Sequence, residues 1–115
     1  MNIKPWIQAA RLRTLPLAFS CIITGSAIAL QQDKFDIVIF ILALLTTLLL
    51  QILSNYANDY GDAVSGKDDN RIGEKRMVAS GEISKESMKK AVFTFAALAF
   101  ISGLALIIYS IANYI

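Results

Sequence analysis

The chain has 115 residues, 56 % of them hydrophobic and only 17 % charged, with a mean hydropathy of +0.55 and a formal net charge of +2. A soluble chain this short needs polar groups to cover most of its surface, and an average soluble domain is about 25 % charged. The composition therefore argues against a soluble enzyme, a nucleic-acid module and a disordered tail.

Residues 1 to 14 carry Lys4, Arg11 and Arg13 and no acid. Trp6 sits among them, as an interfacial aromatic would. Ile7 to Arg13 reads as a short amphipathic surface helix. A secretory signal ending at Ala27-Ile28-Ala29 is the weaker reading, because further apolar stretches follow. No charge occurs from Thr14 to Gln32, from Ile37 to Asn58, or from Ala91 to Ile115. Uncharged runs of about 18 residues or more read as membrane-spanning helices. The expected fold is thus all-α, with polytopic membrane helices over about 15–30, 37–58 and 89–113. Pro16 suits the first turn of the first span. Gly25 with Ser26, and Ser102 with Gly103, are expected to permit close helix packing, and Cys21 to be a packing residue.

The end of the second span carries the chemistry. If its helix continues, Asn55, Asn58, Asp59 and Asp62 fall at i, i+3, i+4 and i+7 and share one face. Gln51 extends that face one turn deeper. Two acids and two amides side by side need compensation, which a cation supplies. With no His and a single Cys, a zinc site lacks its usual ligands. Carboxylate and amide oxygens suit Mg²⁺ or Ca²⁺, and Mg²⁺ is commonly shared between one or two carboxylates and substrate phosphates. Trp6, Tyr56 and Tyr60 are either pocket-lining or interfacial aromatics.

A polar loop over 59–88 follows, and the stretch from Asp59 to Lys90 holds seven acids and seven bases. Lys67, Arg71, Lys75 and Arg76 near Asp68 suit a diphosphate bridged by Mg²⁺, or form a solvated mixed-charge loop. Ser84 is the expected N-cap of the third span, with Glu86 in its first turn. Ten of the eleven Lys and Arg lie in the N-terminal segment and the stretch 59–90. The positive-inside rule places both in the cytoplasm, on an inner (cytoplasmic) membrane. The bases form no separate patch, so nucleic acid is not an expected partner.

Asn58-Asp59-Tyr60-Gly61-Asp62 followed by Gly66-Lys67-Asp68 resembles the first aspartate-rich motif of the UbiA-type intramembrane prenyltransferases. Ala10-Arg11-Leu12-Arg13-Thr14-Leu15-Pro16 and Arg76-Met77-Val78-Ala79-Ser80-Gly81-Glu82-Ile83-Ser84 resemble flanking segments of the branch that prenylates 1,4-dihydroxy-2-naphthoate in menaquinone biosynthesis. The resemblance implies Mg²⁺-dependent transfer of a polyprenyl chain from polyprenyl diphosphate to 1,4-dihydroxy-2-naphthoate within membrane lipid. It implies Asn58 and Asp62 as catalytic metal ligands, Asp68 as the third member, Asp59 as a supporting ligand, and Asn55 as a supporting residue on the substrate side. Lys67, Arg71, Lys75 and Arg76 are the implied diphosphate contacts. In the wider family the third acid often follows Asp62 after three further residues, where this chain has Gly66. Family members are also larger closed bundles with a second aspartate motif, so these residues correspond to the N-terminal third of one. A small three-span subunit without catalysis, and another Mg²⁺-dependent enzyme of lipid-linked diphosphates, are the competing readings.

Overall fold

A computed structural model describes residues 3–65, 77–78, 81 and 83–115. Four α-helices follow in order, α1 Lys4–Ala10, α2 Leu15–Gln31, α3 Ile37–Ser65 and α4 Lys85–Tyr114, with a 3₁₀ turn over Leu12–Thr14 between the first two. No strand occurs among the described residues. Three helical stretches are long and apolar enough to cross a membrane: Lys4–Gln31, Ile37–Val64 and Lys85–Tyr114.

The expected surface helix is divided. α1 stops at Ala10 because Arg11 takes a left-handed conformation (φ 52°, ψ 55°), which costs a non-glycine residue roughly 1–2 kcal/mol. Thr14 steadies the break: its N–H and its hydroxyl both donate to the Arg11 carbonyl, at 3.0 and 2.9 Å. The chain then turns into α2, with Pro16 in the first turn, where the missing N–H leaves no bond unmade.

α3 is the longest departure from the apolar pattern. Its 29 residues rise about 43 Å at 1.5 Å per residue, against a hydrocarbon core of about 30 Å. Some twenty residues from Ile37 suffice to cross. The helix is thus longer than one crossing requires. The polar loop is shorter than 59–88 at both ends, since 59–65 continue α3 and α4 begins at Lys85. Ser84 is the N-cap of α4: its hydroxyl accepts the Ser87 N–H at 3.1 Å, and Glu86 occupies the first turn. The side chain satisfies one of the donors that every helix start leaves open.

α3 and α4 are joined midway by Thr46 and Ser102, whose hydroxyls lie 2.6 Å apart. Gly103 sits beside them, and a Cβ there would meet Thr46 Cγ2 at 3.7 Å, so the small pair does permit close approach. Gly25 does not act this way: a Cβ built on it meets nothing within 4 Å. α2 packs against α3 with no fully buried residue. The apolar core lies instead at one end, where Ala9, Ala10, Tyr56, Met77, Val78, Ile83 and Met88 meet.

The opposite end is tied by Asp36. One carboxylate oxygen caps α3 by accepting the N–H of Val38 at 2.9 Å and of Ile39 at 3.4 Å. The other accepts the hydroxyls of Tyr114 and Tyr109 on α4, at 2.6 and 2.8 Å. The Tyr114 hydrogen bond, helped by those of Tyr109, Val38 and Ile39 and opposed by desolvation, holds the Asp36 carboxyl below its usual range. A lowered native pKa means that the contribution is complete above the unfolded value of about 3.9 and fades as pH falls through the native value. The melting difference between wild type and Asp36→Asn should be constant above about pH 5 and shrink only below about pH 4. A difference already lost at pH 6 would remove Asp36 as the titrating group.

Candidate functional site

Because α3 runs unbroken to Ser65, the spacing of its polar stripe is realised in space. At about 100° per residue, Gln51, Asn55, Asn58, Asp59 and Asp62 fall within one side of the helix. The stripe nevertheless divides into two rows with different surroundings.

The inner row is Gln51, Asn55 and Asp59, each one turn from the next. Gln51 Nε2 donates to Thr14 Oγ1 at 3.0 Å. Asn55, 6 % exposed, donates from Nδ2 to the Ala10 carbonyl at 2.8 Å. Asp59, 1 % exposed, accepts the Val78 N–H on Oδ1 at 2.8 Å and the Met77 N–H on Oδ2 at 2.9 Å. The bonds of Asn55 and Asp59 are buried, and a buried polar group left without its partner costs about 1–3 kcal/mol. Sequence reasoning anticipated a cation for these acids. For Asp59 the described compensation is a pair of backbone N–H groups.

The outer row is Asn58 and Asp62, also one turn apart. Asn58 is exposed and Asp62 partly exposed. One amide oxygen and one carboxylate at this spacing match the hard oxygen donors that Mg²⁺ takes while keeping water and phosphate in its remaining positions. Among the described residues no three Asp, Glu or Cys side chains converge into a complete metal cage. Lys67, Asp68, Arg71, Lys75 and Arg76 lie outside the described residues.

The aromatic candidates sit elsewhere. Trp6 meets Tyr56 edge-on, with centroids 5.6 Å apart, and Tyr56 meets Phe95 likewise at 5.3 Å. The Tyr56 hydroxyl donates to the Trp6 carbonyl at 3.1 Å. Tyr56 is about 160° around α3 from Asn58 at 100° per residue, so this cluster does not line the acid face. It packs α1 against α3 and α4. The signal for it was present only as aromatics of unassigned partner.

The UbiA prenyltransferase family model matches residues 18–113. Three curated relatives share the description 1,4-dihydroxy-2-naphthoate octaprenyltransferase. That of Escherichia coli (strain K12) is 50 % identical over 105 residues, covering 90 % of this chain and 34 % of the relative. That of Haemophilus influenzae is 44 % identical over 109 residues, covering 92 % and 35 %. That of Mycobacterium tuberculosis is 37 % identical over 109 residues, covering 95 % and 37 %. The chain spans about a third of the length of these relatives. No solved structure matches it.

Asn55→Ala leaves the Ala10 carbonyl without its donor, and should lower stability by about 1–3 kcal/mol. Denaturant titration in detergent checks this, and Trp6 should become more accessible to a quencher as α1 loosens. An unchanged midpoint and unchanged quenching would mean that this bond does not hold α1.

Proposed function

The chain belongs to the UbiA prenyltransferase family, and from that we propose that the full-length protein transfers a polyprenyl group from polyprenyl diphosphate to 1,4-dihydroxy-2-naphthoate, in the membrane and with Mg²⁺. The reading is supported by relatives of that description at up to 50 % identity. The observation that carries it to particular residues is the outer row of α3, where Asn58 is exposed and Asp62 partly exposed, one turn apart.

Asn58 and Asp62 would hold the metal, Asp68 would complete the set, and Lys67, Arg71, Lys75 and Arg76 would add positive charge toward the diphosphate. Bound there, Mg²⁺ supplies charge neutralisation to the departing diphosphate, which is the main demand of such a step. The placement suits the two halves of the donor substrate. Asn58 and Asp62 lie just past the hydrocarbon length of α3, level with polar headgroups. The apolar turns from Ile37 onward can lie along an isoprenoid tail. The donor row keeps the charged end of the substrate out of the low-dielectric core, where an isolated anion is costly.

Orientation belongs to the same proposal. α1 packs on the α3 end that precedes the site, so Lys4, Arg11 and Arg13 gather with Lys85, Lys89 and Lys90, and Lys34 lies at the other end. The positive-inside rule then faces the site to the cytoplasm of an inner membrane.

In the full-length protein, Asp62→Asn should lower transfer by roughly 100-fold or more, the scale for losing one electrostatic stabiliser of developing charge. Chelation should abolish transfer and added Mg²⁺ restore it. Radiolabelled polyprenyl diphosphate with 1,4-dihydroxy-2-naphthoate is the assay. Undiminished transfer by Asp62→Asn would remove the ligand role, and transfer to a different acceptor alone would change the substrate.

A further inference from the structure

Asp59 lies between the two outer donors in sequence, yet it is the charged side chain that they leave behind in the interior. It is 1 % exposed, whereas Asn58 is exposed and Asp62 partly so. A buried carboxylate is tolerated only when donors meet its oxygens. Here each oxygen has one: Val78 N–H on Oδ1 and Met77 N–H on Oδ2. Charge-assisted bonds of this kind are about twice as strong as neutral ones.

The element that Asp59 grips is itself anchored. The Ile83 N–H donates to the Met77 carbonyl at 3.1 Å, and the Gly81 N–H to the Val78 carbonyl at 3.0 Å. Gly81 has φ 85°, which glycine adopts without a Cβ penalty. Met77, Val78 and Ile83 are buried in the same core as Met88 of α4. The carboxylate thus joins α3 to a turn whose position is set independently.

We infer that Asp59 is a positioning residue: its grip on the Met77–Val78 backbone fixes the rotation of the last turns of α3, and so presents Asn58 and Asp62 on the open side. The inference rests on reading Asn58 and Asp62 as the metal-facing pair. Rotation is the quantity at stake because a one-residue slip turns a helix by about 100°, enough to carry Asp62 off the open side. The terminal turns contain Gly61, which costs a helix interior about 1 kcal/mol relative to Ala. Asn55 braces the helix one turn earlier through Ala10. Asp59 does so between the two donors, through the Met77 and Val78 N–H groups.

The test uses the full-length protein. Asp59→Asn keeps the shape but puts an amino group where one N–H needs an acceptor. Amide exchange at Met77 and Val78 should quicken about tenfold or more, as loss of a charged hydrogen bond implies. The half-saturating Mg²⁺ concentration should rise several-fold. Val78→Pro removes one partner N–H and leaves the Asp59 carboxylate intact. It should raise the Mg²⁺ requirement too, and the double variant should go little further than the larger single effect. Asp62→Asn is the reference, raising the Mg²⁺ requirement with exchange at Met77 and Val78 unchanged. If Val78→Pro leaves the Mg²⁺ requirement unmoved, or if the two effects multiply independently, the inference is overturned and Asp59 acts as a ligand. A Mg²⁺ requirement unmoved by Asp59→Asn overturns it in favour of a purely structural role. Where Val78→Pro does not accumulate, unchanged exchange in Asp59→Asn overturns it alone. If Asp62→Asn itself leaves the Mg²⁺ requirement unchanged, the reading of the metal-facing pair falls first, and the two failures are told apart.

Discussion

A polar side chain buried in a protein must find its partner there, because neither water nor lipid can supply one. That constraint organises the functional end of this chain. Gln51, Asn55 and Asp59 point into the protein and take Thr14, Ala10 and the Met77–Val78 backbone as partners. Those three partners come from before α2 and after α3. The polar row of one helix therefore gathers segments that are far apart in sequence, and the small apolar core forms around the gathering point.

The two ends of α3 are held by the same device with opposite consequences. At the start, Asp36 caps the helix and takes two tyrosine hydroxyls from α4. At the finish, Asp59 takes two backbone N–H groups. Between them the contact is Thr46 with Ser102 and Gly103. A dispersion-only interface between apolar helices has little to prefer one register over another, since lipid tails are as apolar as the side chains. Three polar ties at separate heights supply that register. The Asp36 tie joins α3 to α4 through side-chain hydroxyls, whereas the Asp59 tie has Asn58 and Asp62 beside it.

Much of this was legible in the sequence. Charge-free runs marked the three spans, because a charge in hydrocarbon is costly whatever the fold. Ser84 announced a helix start by chemistry that is local. The face shared by Asn55, Asn58, Asp59 and Asp62 followed from helical period alone. What period cannot supply is the identity of the neighbour on each side of that face. The donors to Asp59 are backbone N–H groups 18 and 19 residues downstream, and every residue type except proline carries such a group. Gly25 and Gly103 look alike as sequence, yet only Gly103 meets a neighbouring side chain. The left-handed break at Arg11 was hidden for a related reason: arginine has no preference for it, so the surrounding bonds impose it.

The alternation of amides and acids along α3 then has a physical sense. A metal-facing carboxylate must be reachable and must also stay put, and one side chain on a fraying helix end cannot secure both. Placing a second acid between the two outer donors, turned inward and met by backbone N–H groups, separates the tasks. On that proposal the outer row meets water and substrate while the inner row is satisfied within the protein. Backbone donors suit the inner task better than a lysine would. They carry no mobile side chain whose entropy must be lost, and they add no net charge to compete with an incoming cation.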